Sequence, residues 1–118
     1  MVLNKLLDKA DHHLETENYG SAGSAFKGVL DSYPADVVLQ QKVKWNRAQI
    51  SERIEICSAK LMEKGLLEYR AGNLKSAVRT WRKLVSFNPE YEGAKKSLDT
   101  TLMQMKSLRG LKNKEAKP

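Results

Sequence analysis

Apolar residues recur at helical spacing in two stretches of the chain. In each stretch, a small residue is followed by an aromatic residue four positions later and by two more apolar residues in the next turn. The two sets are Ala22, Phe26, Val29 and Leu30, and Ala77, Trp81, Leu84 and Val85. Positions i, i+4, i+7 and i+8 lie on one face of an α-helix. The pattern therefore predicts amphipathic helices and an all-α fold.

The periodicity and the turn residues predict two helical hairpins, each followed by a long helix. The hairpins pair residues 3–16 with 19–33 and residues 58–70 with 74–87, and the long helices cover 36–57 and 90–109. No Pro or Gly occurs between Ala35 and Lys64, so nothing there should stop a helix. The long segments carry heptad-like apolar seams, which are Val43, Ile50, Ile54, Cys57 and Leu61, and Ala94, Leu98, Leu102, Met105 and Leu108. The pattern leaves open whether residues 36–70 form one continuous helix.

The two hairpins are copies of one element. Residues 17–34, ENYGSAGSAFKGVLDSYP, align without a gap on residues 72–89, GNLKSAVRTWRKLVSFNP, at an offset of 55 residues. Three glycines of the first copy, Gly20, Gly23 and Gly28, are replaced in the second. They also lack the Lys-Ser/Thr pair of a phosphate-binding loop. We therefore expect these glycines to lie on the outer face of a helix, where they only weaken it.

These repeats resemble the tetratricopeptide repeat family, whose pattern is W-x₂-L-G-x₂-Y, then A-x₃-F, then P, over two antiparallel helices. The matching positions cover about residues 3–34 and 58–91 of a domain spanning residues 1–109. The residues that carry the resemblance, and that we expect in the repeat core, are Ala22, Phe26, Pro34, Gly65, Ala77, Trp81 and Pro89. The resemblance implies a helical scaffold or adaptor that binds other proteins.

Both repeats depart from the family pattern in the first helix of the pair. The family leucine and tyrosine positions hold Lys64 and Glu68 in the second copy, so the apolar stripe there is rotated. The rotated stripe includes Met62, Leu66 and Tyr69, which are candidate partner-binding residues. In this family that side tends to line the inner face. We expect the protein's own long helices to cover it, and a second chain, as in a homodimer, is the alternative.

Charge is distributed unevenly along the chain. The formal net charge of +7 arises from −2 in residues 1–34, +2 in residues 35–70 and +7 in residues 71–118. On the second helix of the second repeat, the outer face carries Lys75, Arg79, Arg82 and Lys83. Residues 110–118 are expected to form a basic, flexible tail. These charges could attract acidic protein, nucleic acid or anionic lipid, but a solvated face is the favoured interpretation.

The sequence contains no recognisable catalytic constellation. Cys57 is the only cysteine and lies among apolar residues, which predicts burial rather than reactivity. Adjacent His12 and His13 make a poor metal pair, so no metal, cofactor or catalytic residue is assigned. No apolar run has transmembrane length and no leader pattern is present, so a cytoplasmic location is expected. The leading hypothesis is a non-enzymatic protein-interaction module, and a nucleic-acid-binding helical protein that uses the basic C-terminal half is the alternative.

Overall fold

A computed structural model describes the backbone of residues 1–115 and the side chains of residues 1–111. The described residues form six α-helices and no strand. The helices are α1 (Val2–Glu15), α2 (Tyr19–Asp31), α3 (Val37–Lys42), α4 (Arg47–Arg70), α5 (Leu74–Phe87) and α6 (Ala94–Glu115). The all-α prediction is confirmed.

The helices pack in the order of the chain. α1 packs on α2, α2 on α4, α4 on α5 and α5 on α6, while α2 also contacts α5. The molecule measures 72 × 26 × 20 Å, and its radius of gyration of 18.2 Å exceeds the roughly 13.5 Å expected for a compact chain of this length. This elongation arises because the long helix α6 leaves the body of the protein. Its seam residue Ala94 is fully buried, whereas Leu108 is 56% exposed.

The predicted long helix at 36–57 is wrong in its boundaries. The structure divides this segment into the short α3 and the first part of α4, and α4 continues through the expected boundary at residue 57 to Arg70. Capping explains the division. The Asp36 carboxylate accepts hydrogen bonds from the first turn of α3, and Asn46 and Gln49 form a reciprocal capping box at the start of α4.

Residues 43–46, between α3 and α4, are fixed to the rest of the fold. The Asn4 side chain donates to the Lys42 carbonyl and accepts from the Lys44 amide, both at 2.8 Å. Val43 is buried, and Trp45 packs near Phe26 with ring centroids 6.0 Å apart. These contacts hold residues 43–46 in a non-helical conformation, in addition to the capping that ends one helix and begins the next.

The two hairpin turns are the same structure at an offset of 55 residues. Glu17 and Gly72 both adopt a left-handed conformation, with φ of 62° and 82°. In each turn, that residue's amide and the following amide donate to carbonyls three and five residues back, at 2.8 to 3.1 Å. This is the Schellman ending of a helix. The internal repeat read from the sequence is therefore a repeat of backbone structure.

Helix α6 also differs from its predicted range of 90–109. It starts at Ala94 because Gly93, with φ of 83°, ends a turn that follows Pro89. It continues to Glu115, so residues 110–115 of the expected flexible tail are helical. Good helix formers such as Leu, Lys and Glu dominate this stretch. The last three residues of the predicted tail lie outside the described part of the chain.

Candidate interaction surfaces

The contact between the two helices of the second repeat is built on Gly65 and Trp81. Trp81 is only 1% exposed, and a Cβ atom at residue 65 would lie 2.2 Å from its Nε1. The same Nε1 atom lies 3.4 Å from the Met62 carbonyl oxygen, to which it donates. Of the expected core residues, Ala22, Phe26, Gly65, Ala77 and Trp81 are buried, and Pro34 is half-buried. Pro89 is exposed, because it follows the end of α5 without joining the core.

The glycines of α2 are not all on its outer face. Gly23 is buried, and a Cβ atom there would lie 2.3 Å from Cζ of Phe87. A Cβ atom at Gly20 would lie 3.0 Å from Cδ of Lys83, whereas Gly28 faces open space. The expectation of an outer face is therefore wrong for Gly23, whose missing side chain lets α5 pack against α2.

The rotated stripe on α4 is covered in part by α6. Met62, Leu66 and Tyr69 are half-buried and pack against the core. The Tyr69 hydroxyl donates to Oε1 of Gln104 at 2.6 Å, which ties the end of α4 to the middle of α6. A cavity of about 200 Å³ remains, lined by Leu66, Tyr69, Trp81, Lys96, Ser97, Thr100 and Thr101. Coverage by the protein's own helix is thus incomplete.

A larger open groove lies along the same helix, and we call it the α6 groove. Its volume is about 550 Å³, and it is lined by Leu74, Thr100, Met103, Gln104, Ser107 and Leu108. Met103 is 71% exposed and Leu108 is 56% exposed. The sequence pattern does not predict this surface. It assigns Leu108 to the helix seam and gives no role to Met103, because periodicity alone does not show where a helix leaves its neighbours.

The predicted basic residues of α5 form an exposed face, which we call the α5 basic face. Lys75, Arg79, Arg82 and Lys83 are all exposed, and α5 contains no acidic residue. Arg79 donates to Oγ of Ser76 at 3.3 Å. A cleft of about 500 Å³ between the α4–α5 turn and α6 is lined by Lys75 and Arg109 among others. The positive surface therefore continues from α5 onto α6.

The polar cluster around Lys44 connects parts of the fold to one another. Lys44 forms ion pairs with Asp8 and, at 3.2 Å, with Asp11, and Arg53 stacks on the Trp45 ring at 3.5 Å from its centroid. The hydrogen bond that the Lys44 ammonium donates to the Asp8 carboxylate is the main reason why the pKa of Lys44 is raised. These contacts connect α1, residues 43–46 and α4, so they help to hold the helix interruption in place.

Cys57 is buried as predicted. Loss of solvation raises the pKa of its thiol to about 11, so the thiolate is disfavoured at neutral pH. Within the described residues, no three His, Cys, Asp or Glu side chains come together in a way that could hold a metal ion. None of the described helices has the length and apolar character needed to span a bilayer.

Comparisons with known protein families, with curated proteins and with solved structures give no match.

Proposed function

We propose that this protein is a non-catalytic interaction module of the tetratricopeptide type, a scaffold or adaptor, and that it receives an amphipathic helix of another protein in the α6 groove. The observation that carries the proposal is the exposure of Met103 and Leu108 in an open groove beside a well-packed helix pair. Exposed apolar side chains grouped in a groove are typical of interaction sites. Amphipathic helices commonly bind in such grooves through apolar residues spaced three and four apart.

The groove is open because α6 contacts α5 over only part of its length. Its first turns are anchored by Ala94 and Leu98, which are at most 8% exposed, whereas Leu111 near its end is 56% exposed. The α4 stripe of Leu66 and Tyr69 lies at the same side of α6, beside the smaller cavity. An added helix could therefore contact α4 and α6 together and bury apolar surface that the chain leaves in water.

The charge of α6 indicates the composition of the partner. Residues 94–111 include four cationic side chains and one acidic side chain, a net charge of +3. The cations are Lys95, Lys96, Lys106 and Arg109. A partner helix with acidic residues beside its apolar stripe would complement this field, which favours encounter and orientation. The expected partner is therefore a different, acidic protein.

Site-specific photocrosslinking in cells of the source organism tests this function. A photoreactive phenylalanine analogue replaces Met103, and the matched control carries it at Leu67, which is 60% exposed on α4 but does not line the α6 groove. We expect one defined adduct with another protein at residue 103 and none at residue 67. An adduct with a second copy of the chain would replace the proposal with a homodimer, and the absence of any adduct specific to residue 103 would contradict it.

A further inference from the structure

The positive charge of the α5 basic face is not needed by the fold, and the first repeat provides an internal control. At an offset of 55 residues, the positions of Lys75, Arg79, Arg82 and Lys83 hold Gly20, Ser24, Lys27 and Gly28. The only cation among these equivalents, Lys27, is paired with Asp31 at 3.0 Å. The same helix face thus folds with one cation, paired with a carboxylate, in one repeat and with four cations in the other.

Charge on this face is also left unneutralised. Among the described residues, none of the four α5 cations forms an ion pair with a carboxylate. Four like charges within nine residues of one helix repel one another, which opposes folding slightly. Because no ion pair within the described residues offsets this repulsion, the missing negative charge is expected to come from a ligand.

We propose that the α5 basic face binds the phosphate backbone of double-stranded nucleic acid. The exposed residues of α5 are Lys75, Arg79, Arg82, Lys83 and Ser86, so the face has no exposed apolar or aromatic side chain. Protein interfaces normally have an apolar or aromatic centre, which is missing here. Nucleic-acid binding can instead rest on phosphate neutralisation alone. Single strands are usually held by stacking on aromatic residues, so the face fits a duplex better.

The dimensions of the face agree with this ligand. From Lys75 to Lys83 the helix advances about 12 Å, a length along which one strand of B-DNA presents about three phosphates. Arg109 lengthens the contact, because it lines the same cleft as Lys75. Arg79 and Arg82 can each engage a phosphate with two parallel hydrogen bonds. The face contains no Asn or Gln, the side chains that pair with adenine, and its Arg and Lys side chains can bind a phosphate of any sequence as well as guanine.

Fluorescence anisotropy with a labelled DNA duplex of about 20 base pairs tests the proposal, with the single strand and an RNA duplex as further probes. The face variant carries Lys75→Gln, Arg79→Gln, Arg82→Gln and Lys83→Gln, since Gln has a helix propensity similar to those of Lys and Arg. The control variant carries Lys5→Gln, Lys9→Gln, Lys27→Gln and Lys42→Gln, none of which lines a cleft with the α5 basic face. Both variants lower the formal net charge of +7 by the same four units.

If the four cations neutralise four phosphates, the logarithm of the wild-type affinity for duplex should fall with the logarithm of the salt concentration with a slope of about −3.6. We therefore expect about a 150-fold loss of affinity from 50 to 200 mM salt. The face variant should lose most of that slope and at least tenfold in affinity at 50 mM salt, whereas the control should keep the slope. The face variant should match the wild type in its circular dichroism spectrum and melting temperature. Met103→Ser, at a residue that lines the α6 groove but not the cleft of Lys75 and Arg109, should leave duplex binding intact, which separates this site from the α6 groove.

Three results would overturn the proposal. Equal weakening of the face and control variants would mean that only net charge matters. Tighter binding of the single strand than of either duplex would show that the face does not prefer double-stranded nucleic acid. Binding that depends on the α5 basic face, but is tighter to polyglutamate or to anionic lipid vesicles than to duplex at the same salt, would assign the face to acidic protein or to membrane.

Discussion

Trp81 occupies the space that a side chain at Gly65 would need, with Nε1 only 2.2 Å from an ideal Cβ position. The indole is almost completely buried, so it has no free volume into which to retreat. The approach of α4 and α5 therefore depends on the absence of a side chain at residue 65.

Gly65→Ala should destabilise the fold by about 1–3 kcal/mol, because the added methyl group forces the indole or the helix to shift. The matched control is Gly28→Ala, which places a methyl group in open space on α2. That change should stabilise the protein by up to about 1 kcal/mol through helix propensity alone. Urea denaturation monitored by Trp fluorescence measures both. Equal effects of the two substitutions would show that the Gly65–Trp81 contact does not limit packing.

The paired turns at Glu17 and Gly72 give a second prediction. Glu17 has a left-handed conformation that disfavours any residue with a Cβ atom, whereas Gly72 adopts it at little cost. Glu17→Gly should therefore raise the free energy of unfolding by about 1 kcal/mol, and Gly72→Ala should lower it by a similar amount. Thermal or urea unfolding of both variants checks the prediction. Destabilisation by Glu17→Gly would mean that the glutamate side chain contributes more than the backbone strain costs.

The buried thiol of Cys57 predicts a pH dependence of stability. Burial raises the pKa of this thiol from 9.0 to about 11. Its stabilising contribution is complete below about pH 9, where the thiol is protonated in both states, and is lost as the pH rises towards 11, because the unfolded chain ionises first. The free energy of unfolding should fall more between about pH 8.5 and 10.5 in the wild type than in Cys57→Ala. Parallel curves for the two proteins would contradict this assignment.

Sequence reasoning correctly predicted those parts of the fold in which hydrophobic periodicity alone determines the helix and its buried face. The helix predicted at 74–87 coincides with α5, and the seam residues Ile50, Ile54, Cys57 and Leu61 are buried. The division of the long helix was not predicted, although the sequence contains a signal for the start of a new helix. Asn46 and Gln49 form the N-x-x-Q pattern of a capping box in the printed sequence.

Other features depend on tertiary packing, which periodicity does not encode. The burial of Gly23 follows from the position of Phe87, a residue 64 positions away in sequence. The α6 groove exists because α6 extends beyond its neighbours, and periodicity predicts that a segment is helical but not what lies beside it. By contrast, the α5 basic face could be predicted from the sequence, because the apolar stripe of α5 determines which residues face outwards.

Met103 and Leu108 are proposed to bind another protein, and the affinity for that protein is the decisive measurement. The protein crosslinked at residue 103 is titrated calorimetrically against the wild type, Met103→Glu with Leu108→Glu, and the control Leu67→Glu. All three sites are largely exposed, so unfolding free energies should agree within about 0.5 kcal/mol. Because each apolar side chain buried at an interface contributes about 1.5–3 kcal/mol, we expect at least a 100-fold weaker affinity for the double variant and an unchanged affinity for Leu67→Glu. Equal affinities for all three proteins would contradict it.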